Sequence, residues 1–86
     1  MKIIFTKHAE EKFKELEKLG WKVTKQKVKN TVKKPVWRGA SRFGQETALS
    51  FVNKAHILRV ILNNEDDIIK IITFYIARRG KYESTL

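Results

Sequence analysis

A chain of 86 residues builds one domain, 1–86, and 42% hydrophobic residues are enough for a single core. With no cysteine, disulfides, thiolate nucleophiles and Cys-ligated zinc are excluded. No apolar run approaches the ~18 residues of a membrane-spanning helix, and the apolar part of "MKIIFTKHAEE" is too short for a signal peptide, so a cytoplasmic protein is expected.

The net charge is +10, and it is unevenly placed. Between Glu17 and Glu46 there is no acidic residue, while Lys18, Lys22, Lys25, Lys27, Lys29, Lys33, Lys34, Arg38 and Arg42 all fall there. A field of that sign favours a polyanion: RNA, DNA, an acidic protein tail or an anionic membrane. The plainer alternative is a solvated lysine-rich surface.

In chain order, "KIIF" (residues 2–5) reads as a short strand. Thr6 can N-cap the next segment, where Ala9, Phe13, Leu16 and Leu19 recur at helical spacing and Gly20 is a stop. Thr24 is a second N-cap candidate. Val28 and Val32 give the second helix a narrow apolar stripe flanked by lysines, and Pro35 ends it. Three further runs then read as strands: "PVWRG", "ETALSFVN" with Leu49 and Phe51 on one face, and "HILRVIL". "NNEDD", residues 63–67, is a hairpin tip leading into "IIKIITFYI". The order implies an α+β fold: two N-terminal helices on one face of a curved antiparallel sheet of about four strands, the other face partly open.

Conventional catalytic sets are absent. His8 and His56 have no metal-ligand spacing to each other or to acids, there is no glycine-rich phosphate loop, and the acids read as surface groups. His, Arg, Lys and Tyr remain, the side chains that RNA cleavage without a metal or other cofactor can use. In that chemistry the 2′-hydroxyl attacks the adjacent phosphate. Protons must be taken and given, and arginine suits the added negative charge. Arg59 is the one charged side chain in "HILRVIL", on the face of Ile57 and Ile61; there it is either paired or part of an open functional face. Strict alternation places Tyr75 with Thr73, Ile71 and Ile69. Arg78 and Arg79 follow at the strand's end, with Tyr82 beyond Gly80. His8 sits in the first turn of helix one, at the border of its apolar stripe. Trp37–Arg38 and Arg42–Phe43 interleave aromatic and basic groups that can stack on unpaired bases, and Lys25, Lys29 and Lys33 share a helix face that can follow a phosphate backbone.

"FTKHAEEKFKELEKLGWKVT" resembles the opening of a family of small prokaryotic proteins in which a short strand leads to a helix-start histidine and a Leu-Gly-aromatic turn. "HILRVILNNEDDIIKIITFYIARRGKYE" resembles that family's ending, a hairpin with an inner Arg and a Thr-aromatic strand running into Ala-Arg-Arg and Tyr. In element order the family is similar to the RelE/ParE toxin superfamily and to BrnT-type toxins. The resemblance implies a two-helix layer on a curved antiparallel sheet. It implies a toxin that cleaves free or ribosome-bound mRNA and is held inactive by a cognate antitoxin protein. By the same resemblance Arg59, Arg78 or Arg79, and Tyr82 occupy the superfamily's functional places, and His8 matches the helix-start histidine. Where many relatives carry Pro before the Ala-Arg pair, this chain has Ile76, which changes the strand's exit. The alternatives are a nucleic-acid-binding module without chemistry, and a ParE-like inhibitor that grips another protein.

Overall fold

The computed structural model describes residues 2–40 and 45–79. Along them run β1 (Lys2–Phe5), α1 (Lys7–Lys18), α2 (Lys25–Lys33), β2 (Trp37–Ala40), β3 (Glu46–Phe51), β4 (His56–Glu65) and β5 (Ile68–Arg78).

Both helices begin where a threonine hydroxyl meets an otherwise unpaired amide. Thr6 Oγ1 accepts from the Ala9 N–H and Thr24 Oγ1 from the Lys27 N–H, each at 3.1 Å. α1 closes in a Schellman motif: Trp21 N–H donates to Leu16 O at 2.9 Å and Gly20 N–H to Glu17 O at 3.0 Å. Gly20 makes that possible with φ +90°, a conformation that a Cβ disfavours. At the end of α2, Arg38 reaches back and donates to the Val32 carbonyl, so a basic side chain satisfies a helix-terminal acceptor.

The fold is α+β, as expected, but the sheet is larger and mixed. The five described strands run in the order β1-β5-β4-β3-β2, and β1 pairs parallel with β5. The expectation of about four antiparallel strands is corrected on both counts. The first and last described strands meet through the α1–α2 excursion, and adjacency in sequence does not reveal that pairing. Both helices cover one face of the sheet, but over different strands: α1 lies over β5 and β1, whereas α2 lies over β3 and β4. Between them they bury Ala9, Leu16, Val28 and Val32 against Ala48, Leu58, Val60, Leu62, Ile69, Ile71 and Phe74. Phe5, Phe13 and Phe74 stack across the α1 side with ring centroids 5.6 and 4.7 Å apart.

Two details of the β4–β5 hairpin differ from what the sequence pattern implies. β4 continues to Glu65, which pairs with Ile68, so the turn is Asp66–Asp67 and not the whole of residues 63–67. Asp66 takes φ +54°, which a short polar side chain tolerates and a two-residue hairpin demands. Farther along, Leu62 pairs with Ile71 and Ile61 with Thr73, leaving Ile72 as an extra residue, a β-bulge. The bulge breaks the alternation of β5. Ile69 and Ile71 face the helices, whereas Thr73 and Tyr75 face the other side. The expected common face for Tyr75, Ile71 and Ile69 is therefore corrected.

Candidate functional site: a basic and aromatic row across the sheet

On the face away from the helices, strand register places Trp37, Leu49, Arg59 and Tyr75 in one row across β2, β3, β4 and β5. At about 4.8 Å per strand the row spans roughly 14 Å. Leu49, with Ile57 and Ile61 in the neighbouring rows, is buried and forms an apolar bed. Arg59 is half-buried on that bed. Its Nη1 donates to the phenolic oxygen of Tyr75, and the guanidinium carbon stands 5.5 Å from the Tyr75 ring centroid. Burying an arginine stem on apolar side chains while its head meets a polar partner meets the desolvation cost that a mid-strand charge would otherwise carry. At the other end of the row, the Trp37 indole lies over Gly39; a Cβ at position 39 would collide with the ring.

The adjoining row holds Gly39, Thr47, Ile61 and Thr73 in register. The hydroxyls of Thr47 and Thr73 are buried on either side of Ile61 and have no hydrogen-bond partner among the described residues. Such groups are uncommon in folded proteins and call for an explanation. The row on the other side holds Phe51, Ile57 and Ala77. The Arg79 guanidinium stacks 4.2 Å from the Phe51 ring centroid, and the Arg79 N–H donates to the Ala55 carbonyl at 2.8 Å.

The two C-terminal arginines thus part company. Arg79 stands over Phe51 on the Arg59 face, while Arg78 pairs with His56 one register step beyond Ile57–Ala77, which alternation turns to the helix side. His56 itself meets the Trp21 indole edge-on with centroids 4.8 Å apart, a packing role. His8 is exposed in the first turn of α1, next to Ala9, which is buried on the helix face. The sheet separates that helix from the Arg59–Tyr75 row, so convergence of His8 with them is not what the fold provides. The amphipathic stripe fixes which face α1 buries, but sequence does not say which side of the sheet it covers.

Among the proposed backbone-binding groups, Lys25 pairs with Glu10 at 3.1 Å and lies 5.5 Å from the Phe5 ring centroid, and Lys29 and Lys33 follow it along α2. Arg38 sits on the side opposite Trp37, shared between Val32 O and Glu46, whose carboxylate is 3.7 Å away. Trp37 and Arg38 therefore do not form one stacking unit. Tyr82 and Arg42 lie outside the described residues. The sequence does not single out Phe51 as a site residue; its signal, an aromatic at the end of a strand that otherwise reads as core, is too common to find it. Among the described residues no group of three or more His, Asp or Glu side chains gathers where it could hold a metal ion, and no helix is long and apolar enough to cross a membrane. No family model, curated protein or solved structure matches the chain.

Proposed function

We propose that this chain acts on RNA as a RelE-like endoribonuclease, the toxin of a toxin–antitoxin pair, and that the scissile phosphate lies on the Arg59–Tyr75 row. The observation that carries the reading is the cross-strand contact in which Arg59 donates to the Tyr75 phenol on the face away from the helices. In the reaction the 2′-oxygen attacks the adjacent phosphorus, the P–O5′ bond breaks, and a 2′,3′-cyclic phosphate forms. In this reading the Tyr75 phenol, whose oxygen accepts from Arg59, acts as the general acid and gives its proton to the leaving 5′-oxygen. Arg59, with its planar fork of donors, and Arg79 on its Phe51 platform offset the charge that builds on the phosphate. The 2′-hydroxyl proton passes to water. Trp37, at the far end of the row, supplies a face on which an unpaired base stacks.

The test is cleavage of end-labelled single-stranded RNA by the purified chain, with and without ribosomes and with a chelator present. Expected are cyclic-phosphate ends and a rate lowered about 10²-fold or more by Arg59→Ala and by Tyr75→Phe. Intact RNA under every condition ends the reading.

The placement of His8 favours a second reading, in which the same face binds RNA without cutting it. Salt-dependent binding with no product would then be the result.

A further inference from the structure

Away from the row, an open hollow of about 380 Å³ between α2 and β3 is lined by Lys27, Asn30, Thr31, Lys33, Lys34 and Ser50. Its rim is cationic and its lining holds no acidic residue. Its floor is polar, although it lies between a helix and a sheet: Thr31 and Ser50 are 1% and 8% exposed, and their hydroxyl oxygens are 2.6 Å apart.

The protons of that pair can be assigned. Thr31 Oγ1 donates to the Lys27 carbonyl at 2.8 Å, and a carbonyl can only accept. Thr31 has one proton, so in the 2.6 Å contact Ser50 is the donor. Both hydroxyl protons are committed inside the protein, and what the floor presents to the hollow is lone pairs. On the rim, Lys27 Nζ donates to the Phe51 carbonyl at 2.8 Å, and two more protons remain on that ammonium. Ammonium groups call for a phosphate oxygen, and bare hydroxyl lone pairs call for a donor. A fully ionised phosphate satisfies only the first. A ribose-phosphate unit satisfies both, with its 2′-hydroxyl donating to the floor and its phosphate against the lysines. Deoxyribose lacks that proton.

We infer that the α2–β3 hollow is a ribose-phosphate subsite in which the Ser50–Thr31 hydroxyl pair accepts a 2′-hydroxyl and Lys27, Lys33 and Lys34 hold the neighbouring phosphate, so that the chain prefers RNA to DNA. The inference rests on RNA being the ligand, as proposed above. It also supplies a route between the two sites. Phe51 offers its carbonyl to Lys27 at the hollow and its ring to Arg79 on the opposite face. A strand of RNA passing the Phe51 end of β3 meets both.

The experiment measures affinity by fluorescence anisotropy for single-stranded RNA, DNA of the same sequence and 2′-O-methyl RNA. It uses the full chain carrying Tyr75→Phe, with RNA integrity checked on a gel. RNA is expected to bind about five-fold tighter than DNA, the size of one net hydrogen bond. The 2′-O-methyl RNA, which has no proton to donate, is expected to bind like DNA. Ser50→Ala should bring RNA down to the DNA level and leave DNA unchanged, while Lys33→Gln weakens both together. Equal affinity for RNA and DNA overturns the inference. So does 2′-O-methyl RNA binding like RNA, or Ser50→Ala weakening both nucleic acids alike. The first two of these are read from the ligand series on the unaltered hollow, so they hold even if Ser50→Ala misfolds. A 2′-hydroxyl preference without cleavage by the wild-type chain upholds the subsite and removes the ribonuclease reading, and Arg59-dependent cleavage without a preference does the reverse.

Discussion

The Thr6 hydroxyl donates to the carbonyl oxygen of Ile72 at 2.9 Å while accepting from the Ala9 amide. One side chain thus starts α1 and also pins the extra residue of β5, the residue that turns Thr73 and Tyr75 to the Arg59 face. Thr24 has only the capping bond among these roles. Thr6→Val therefore removes two bonds and Thr24→Val one. The expected losses in urea unfolding are about 2 and about 1 kcal/mol. Thr6→Ser, which keeps the hydroxyl, should recover most of the difference. Equal losses from the two valine variants would mean that the Ile72 contact contributes nothing.

Gly20 separates conformational cost from steric cost. A Cβ there would meet nothing within 4 Å, yet φ is +90°. Gly20→Ala is expected to destabilise by about 1 kcal/mol, with a fall in Tm of about 4–8 °C. A D-alanine introduced at position 20 by chemical synthesis accepts positive φ and should be neutral or slightly stabilising. If both enantiomers lower Tm equally, the left-handed conformation of Gly20 is not the cause.

The buried hydroxyl pair of α2 and β3 can be weighed by a double-mutant cycle. Thr31→Val leaves Ser50 with a proton and no partner, whereas Ser50→Ala leaves Thr31 still bonded to the Lys27 carbonyl. The first should cost about 1–3 kcal/mol and the second less, and the double variant should cost less than the sum. Additive losses would show that the 2.6 Å contact carries no coupling. The stability measured for Ser50→Ala in that cycle also shows whether the variant is folded under the conditions of the RNA-binding experiment.

Much of this arrangement is legible in the residues, and the illegible part has specific causes. Thr6, Gly20, Thr24 and Pro35 mark helix ends because each supplies or removes a backbone bond locally. Arg59 is conspicuous because a charge amid branched apolar residues needs a polar partner, and the residue it meets across β4 and β5, Tyr75, is itself a candidate on sequence grounds. Their pairing depends on the bulge at Ile72, and "IIKIITFYI" contains no glycine or proline to announce one. Strict alternation puts Tyr75 on the same face as Ile69, which is the helix side. The parallel pairing of β1 with β5 and the meeting of Thr31 with Ser50 are contacts between distant segments. Neither leaves a local signal, and neither does the sheet face onto which α1 folds, which is what removes His8 from the row.

Thr47 separates stability from function. It is fully buried on the Arg59 face, and its hydroxyl has no partner among the described residues. Thr47→Val replaces a polar atom that no described residue satisfies with a methyl group of similar size. In the free protein this should stabilise by about 1 kcal/mol, raising Tm by about 4–8 °C. With no accessible surface, the hydroxyl is out of reach of RNA lying on the row beside Arg59, so the same substitution should leave RNA affinity and cleavage unchanged. Differential scanning calorimetry and the labelled-RNA assay on one preparation decide the matter. A higher Tm with unchanged RNA handling makes the Thr47 hydroxyl a cost to stability alone. A lower Tm would mean that the hydroxyl is hydrogen-bonded in the folded chain and that its loss is felt.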